Sequence, residues 1–203
     1  MTLVARQSVI EHYIRYDARK KGLAIPLDLS TWNWSSADDL DKRLHAAGFK
    51  CGIIAGYIWW KPVELGRSDL SRCAVYQGVF PGLPRMLAQL RGLEAFKTWK
   101  PPWETEWYDL LERSGDYPCD WPLILRPAVK CEAPATWYLE DGSGRATCFF
   151  RRLVQSSDDT RKAFGYLGVV PDQESTFMCQ KFPSLLNHAT GAALPKGGAD
   201  REP

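Results

Sequence analysis

No run of apolar residues in this 203-residue chain reaches the length of a membrane span, so a spanning helix is not expected. Met1 to Ile10 lacks a basic end followed by a continuous apolar core. A secretion signal is therefore not expected, and the cytoplasm is the expected compartment. Histidine is scarce: His12, His45 and His188 are the three, all far in sequence from the cysteines. The six cysteines are Cys51, Cys73, Cys119, Cys131, Cys148 and Cys179, with no Cys-x-x-Cys pair among them. That pattern favours scattered reduced thiols in or near a core over a zinc site or a disulfide frame, and no metal ligand set is expected from it. A surplus of one charge is also missing. Lys and Arg number 26 against 24 Asp and Glu, a net charge of +2. Bulk charge thus gives no reason to expect a nucleic-acid partner, although a local basic face stays open. There is no internal repeat and no low-complexity linker.

What is present points to a folded globule. Hydrophobic residues make up 45% of the chain, enough to bury a core, and the length suits one domain with an elaboration. Tryptophan is abundant, with nine: Trp32, Trp34, Trp59, Trp60, Trp99, Trp103, Trp107, Trp121 and Trp137. Packing between elements accounts for most such residues. The alternative is a surface that stacks a base or grips a protein partner, formed by the segments Tyr57–Trp60 and Trp99–Trp107.

Periodicity divides the chain into elements. Ser8 to Lys21 reads as a helix with Val9, Tyr13 and Tyr16 on one face and Gly22 as its stop. Residues 23–34 are loop-like. A second helix spans 37–47, capped by Ser35 or Ser36, with Asp38 and Asp39 at its positive end and Gly48 after it. Residues 51–60 are apolar and β-like, and Pro62 marks an edge or a strand end. Val63-Glu64-Leu65 leads to Ser68-Asp69-Leu70. Leu83, Met86, Leu87, Leu90 and Leu93 follow helical spacing, with Pro84 in the first turn. Trp107, Leu110 and Leu111 make a short helix stopped near Gly115. Pro122 to Arg126 and Trp137 to Glu140 read as strands. Ala146, Phe149, Phe150, Leu153 and Val154 fall on one face of an amphipathic helix. Ser156 or Ser157 is read as the cap of a further helix with Ala163, Phe164 and Leu167 inward. The Gly-, Ala- and Pro-rich residues 187–203 read as a tail.

The segment Trp121–Val154 carries the chemistry. Gly142, Ser143 and Gly144 stand between a strand and a helix start, and Arg145 follows directly. Such a turn can aim backbone N–H groups and a guanidinium at one small volume, which suits a phosphate or carboxylate.

The order of these pieces resembles the ParB/sulfiredoxin superfamily over roughly residues 57 to 170. A helix ending in Leu110-Leu111-Glu112-Arg113-Ser114-Gly115 precedes Pro122-Leu123-Ile124-Leu125-Arg126. Trp137-Tyr138-Leu139-Glu140 then runs into Asp141-Gly142-Ser143-Gly144-Arg145-Ala146. The resemblance implies an α+β fold: a small mixed β-sheet flanked by helices over residues 51–186, with an N-terminal helical extension over 1–50 and a tail over 187–203. It also implies nucleotide triphosphate binding at the turn, with ATP or CTP and Mg²⁺ as cofactors. Gly142, Ser143 and Gly144 would cradle phosphates, Arg145 would supply the bidentate charge, and Arg126 on the adjoining strand is a second cation. Asp141 would orient the turn, bind magnesium or act as a base; the alternative is a turn-former bonded to its own backbone. Glu140 and Glu64, near strand ends, are further acid/base candidates. Arg151 and Arg152 lie a turn or two along the helix, where solvated cations are the plain reading.

The chain departs from the family in ways that bear on chemistry. Sulfiredoxins carry a catalytic cysteine and a histidine where this chain has Ser143 and Gly144, so peroxiredoxin repair is not expected. The histidine of the family's free-serine kinases is missing as well. The segment after the turn is short for the helix-turn-helix domain of chromosome-segregation members. The expected function is a nucleotide-phosphate-binding enzyme, a phosphotransferase or nucleotide hydrolase working by positioning and charge neutralisation. Two alternatives stay open: a catalytically degenerate binding module with a Trp-rich contact surface, and a nucleic-acid binder or nuclease using Arg126, Arg145, Arg151 and Arg152.

Overall fold

In a computed structural model, the described residues are 3–20, 22, 29–49, 56–57, 59–75, 79, 86–101, 105–128, 132, 134–157 and 159–169. In chain order they form β1 (Val4–Ala5), α1 (Arg6–Lys20), a 3-10 turn (Leu29–Thr31), α2 (Ala37–Ala46), β2 (Trp59–Leu65), α3 (Arg67–Ser71) and β3 (Cys73–Ala74). There follow α4 (Leu87–Leu90), α5 (Glu94–Thr98), α6 (Thr105–Ser114), β4 (Leu123–Pro127), β5 (Trp137–Asp141), α7 (Ser143–Ser156) and β6 (Ala163–Val169). The fold is α+β, with the strands joined in one mixed sheet of order β1-β2-β6-β4-β5-β3. β2 runs antiparallel to β1 and β6, β4 runs parallel to β6 and antiparallel to β5, and β3 runs parallel to β5.

Strand alternation decides which helices cover which face. Along β4, Leu123 and Leu125 join one apolar cluster and Ile124 joins another, because successive side chains leave a strand on opposite faces. The Ile124 cluster holds Val9, Ile10, Tyr13 and Ile14 of α1 and Leu40 and Leu44 of α2. The Leu123 cluster holds Leu70, Leu87, Leu90, Phe96, Trp107, Leu111, Phe149 and Leu153 from α3 to α7. Helices therefore sandwich the sheet. Tyr16, one turn beyond Tyr13, packs with the second group, so α1 reaches both. Each fully buried Leu or Ile contributes about 1.5–3 kcal/mol.

Local chemistry sets several boundaries. The Ser36 side chain accepts from the Asp39 N–H at 3.2 Å and caps α2, a contact worth about 1 kcal/mol. Gly115 follows α6 in the left-handed conformation. Pro62 lies within β2, opposite Tyr166 of β6. Among the described residues β1 pairs with Trp59 and Trp60. Pro62 thus sits where β2 has one strand neighbour among the described residues, as a residue without an N–H requires.

One expected element has a different conformation. Residues 163–169 form strand β6, not a helix, and β6 lies between β2 and β4 in the sheet. Ser157 takes a left-handed φ of 54° as the C-cap of α7 and caps no further helix. The reason is tertiary. Gly168 lets the Tyr57 ring lie against the strand, since a Cβ there would come within 2.7 Å of it. Of the stretch expected to be one helix over 83–93, the described part is helical only over α4 (Leu87–Leu90), and α5 begins beyond it at Glu94. The β-like residues 51–55, Leu83, Pro84, Trp103 and the tail 187–203 lie outside the described residues. Among the described residues no helix is long and apolar enough to cross a membrane.

Candidate functional site

The glycine turn stands where β5 hands over to α7. Gly142 is the N-cap residue, with φ 89° and ψ 17°, a left-handed conformation that suits glycine. Its carbonyl accepts from the Ala146 N–H at 2.8 Å. A Cβ at this position would lie 2.5 Å from Leu123 Cδ2 and 2.8 Å from Arg145 Nη2. The space a side chain would take at Gly142 is therefore already filled by Leu123 and Arg145. Ser143 and Gly144 are buried, and Thr147 Oγ1 donates to the Ser143 carbonyl at 2.7 Å.

Arg145 is 0% exposed. Its Nη2 donates to Asp141 Oδ2 at 2.8 Å and to the Pro122 carbonyl at 3.1 Å. The guanidinium carbon lies 4.0 Å from the centroid of the Tyr16 ring. A desolvated cation–π contact of this kind contributes about 2 kcal/mol. Asp141, the last residue of β5, and Arg145, in the first turn of α7, are thus a buried clasp across the turn, closed from outside by α1.

Arg126 is held as firmly on the sheet. It donates to Glu132 through both terminal nitrogens, at 2.8 and 2.6 Å, and through Nε to Glu140. It also donates to the Pro127 carbonyl at 3.1 Å, and its guanidinium lies 4.3 Å from the Tyr138 ring centroid. Burial pushes the Glu140 carboxyl above the ordinary glutamate value, and the Arg126 charge opposes that shift. The buried Tyr57 hydroxyl is pushed up by burial as well.

The structure therefore brings the expected site residues together in an unexpected way. The two expected phosphate cations, Arg145 and Arg126, are paired with two of the three expected catalytic carboxylates, Asp141 and Glu140. Glu64 stands apart, exposed on β2 opposite Phe164. Arg151 is not a solvated cation. It is buried and donates to the Phe96 carbonyl at 3.4 Å, the Tyr108 hydroxyl at 3.3 Å and the Trp99 carbonyl, tying α7 to the segment carrying α5 and α6. Arg152 lies 3.7 Å from Glu112. Trp60 and Trp107 are fully buried in the two apolar clusters, Trp99 is half-buried against one of them, and Trp59 is half-buried on β2. Among the described residues no group of three or more His, Cys, Asp or Glu side chains is placed to hold a metal ion.

A polar cleft of about 370 Å³ opens beside α3 and α7. Arg67 of α3, Arg91 after α4 and Lys162 before β6 converge on it, with Ser68, Ser71 and a Phe150 wall. Arg67 pairs with Asp159 at 2.7 Å, and both are substantially exposed. Arg91 and Lys162 make no ion pair with any described residue. Asp69 is occupied by the Gly66 N–H, at 3.1 Å, and by Arg72. Sequence reasoning missed this cleft because its cations come from three separate segments. The available signal was the Gly66-Arg67-Ser68 step directly after β2. Glu132, in the spacer between β4 and β5, was missed for the same reason.

No protein-family model, curated protein or solved structure matches this chain. The ParB/sulfiredoxin resemblance therefore rests on motif order alone.

Proposed function

We propose that this protein binds a phosphate-bearing small molecule, with ATP and CTP the first to test, in the cleft formed by Arg67, Arg91 and Lys162. In this reading the glycine turn is a structural clasp, and the chain is a ligand-binding module of ParB/sulfiredoxin type without the family's catalytic set. The observation that carries it is the pair of cations, Arg91 and Lys162, that face one cleft without a carboxylate partner among the described residues.

Magnitudes favour the cleft over the turn. Freeing Arg145 for a phosphate means breaking a largely buried pair, which costs about 2–3 kcal/mol, near the low end for such pairs, because Asp141 is 24% exposed. Freeing Arg67 means breaking an exposed pair with Asp159, worth about 0–1 kcal/mol. Arg91 and Lys162 need no such release. Charge-assisted bonds to phosphate oxygens are about twice as strong as neutral ones, and small-molecule sites begin at about 300 Å³. The two carboxylates of the cleft, Asp69 and Asp159, are each held by an arginine, which supports binding without general-base chemistry.

The test is calorimetric titration of ATP, CTP and pyrophosphate, with and without Mg²⁺, into the wild type and an Arg91→Gln/Lys162→Gln variant. The reading expects saturable binding that weakens at least about tenfold in the variant, since each lost charge-assisted bond is worth about 1.5–3 kcal/mol. Absence of affinity for all three ligands, or equal affinity in the variant, refutes it.

A further inference from the structure

The cleft beside α3 holds an anion of its own. Asp159, in the connection from α7 to β6, is among its lining residues. Asp159 Oδ1 lies 2.7 Å from Arg67 Nε, and Oδ2 accepts from Arg67 Nη2 at 3.1 Å. Each carboxylate oxygen thus meets its own nitrogen of one guanidinium. That fork is the arrangement in which arginine also receives a phosphate. Lys162 comes from the same connection. Its Cδ and Cε lie 3.8 Å from where a Cβ on Gly66 would stand, next to Arg67 in the chain. The connection therefore brings a carboxylate and a cation together against the start of α3.

The hold of Asp159 on Arg67 is weak enough to be exchanged. The Asp159 side chain is 65% exposed, and an exposed ion pair shifts an equilibrium by at most about fivefold. Asp69, the other carboxylate of the cleft, is placed differently: it accepts from the Gly66 N–H and pairs with Arg72, which does not line the cleft. We infer that Asp159 is an internal competitor for the ligand's phosphate. With the cleft empty it occupies the Arg67 fork, and binding exchanges it for a phosphate group while Arg91 and Lys162 supply the remaining charge. Affinity then scales with the fraction of time the fork is free. The inference rests on the phosphate-cleft reading above and adds the residue that limits affinity at that site.

Calorimetric titration of pyrophosphate into the full chain and its Asp159→Asn variant tests the inference. Asp159→Asn is expected to bind about two- to fivefold more tightly. In an Arg67→Gln background the same substitution is expected to gain less, because the fork it would release is gone. A general effect of removing one negative charge would persist there. The Arg67 Nε–H resonance of ¹⁵N-labelled protein, assigned by its loss in Arg67→Gln, gives a second reading that needs no residual affinity in that variant. It is expected to move in Asp159→Asn without ligand, and to move saturably when pyrophosphate is added to the wild type. Equal or weaker binding by Asp159→Asn, an equal gain with and without Arg67, or an Arg67 resonance indifferent to pyrophosphate overturns the inference and leaves the cleft reading standing. Binding of pyrophosphate to neither the wild type nor Asp159→Asn refutes the cleft reading, and the inference with it.

Discussion

The Arg145 guanidinium lies 4.0 Å from the centroid of the Tyr16 ring. Helix α1 thereby closes over the turn that opens α7, and the cation expected to catch phosphate is spent on Asp141, the Pro122 carbonyl and an aromatic face. A phosphate at that turn would have to displace a carboxylate and a buried ring together.

Arg145→Met removes the charge and keeps much of the stem. Asp141 is 24% exposed, so the loss is expected at about 2–3 kcal/mol, near the low end for a broken buried pair. Urea unfolding monitors it. Phosphate-ligand affinity at the cleft should be unchanged in the folded variant. A stability loss under about 1 kcal/mol would show the clasp to be dispensable.

Gly142→Ala combines two costs. The left-handed conformation costs an ordinary residue about 1–2 kcal/mol, and the new Cβ would approach Leu123 Cδ2 to 2.5 Å. A total of about 2–4 kcal/mol is expected. A thermal midpoint within error of the wild type would mean that the turn relaxes freely.

Tyr57→Phe should go the other way. Tyr57 is fully buried and its hydroxyl has no hydrogen-bond partner among the described residues. Deleting a buried unpaired hydroxyl is expected to be neutral or stabilising by up to about 1 kcal/mol. Clear destabilisation would reveal a partner for that oxygen.

Glu140 gives a pH dependence with a definite sign. Burial raises its carboxyl in the folded state above the ordinary value of 4.5. The folded state then holds this proton more tightly than the unfolded chain does, so stability from this group falls as pH rises through the folded value. It is fully present below the unfolded value. Thermal melts of the wild type and Glu140→Gln across the acidic range should show the wild type gaining on the variant as pH drops. The opposite trend would mean that the Arg126 pairing outweighs burial.

The legible features of this chain were local ones. A serine cap at position 35 or 36, Gly115 as a stop and a turn at Gly142 between strand and helix each follow from one residue's conformational chemistry, as do the α1, α2, α6 and α7 periodicities. β6 was illegible because Ala163, Phe164 and Leu167 satisfy helical spacing by coincidence, while its real determinants are contacts with β2 and β4. Gly165 and Gly168, poor helix residues, were the clue. The spacing of Asp141 and Arg145, four apart, already allowed a pair between them. What no local pattern could show is the Tyr16 ring arriving from more than a hundred residues away, or Glu132 meeting Arg126. The cleft at Arg67, Arg91 and Lys162 is likewise a product of the sheet order.

Amide NMR mapping of pyrophosphate binding tests the central claim most directly. The account predicts shifts concentrated at residues 66–71, Arg91 and 159–162, with Gly142, Ser143, Gly144 and Arg145 unmoved. Shifts centred on those four turn residues, or no shifts anywhere, would contradict it.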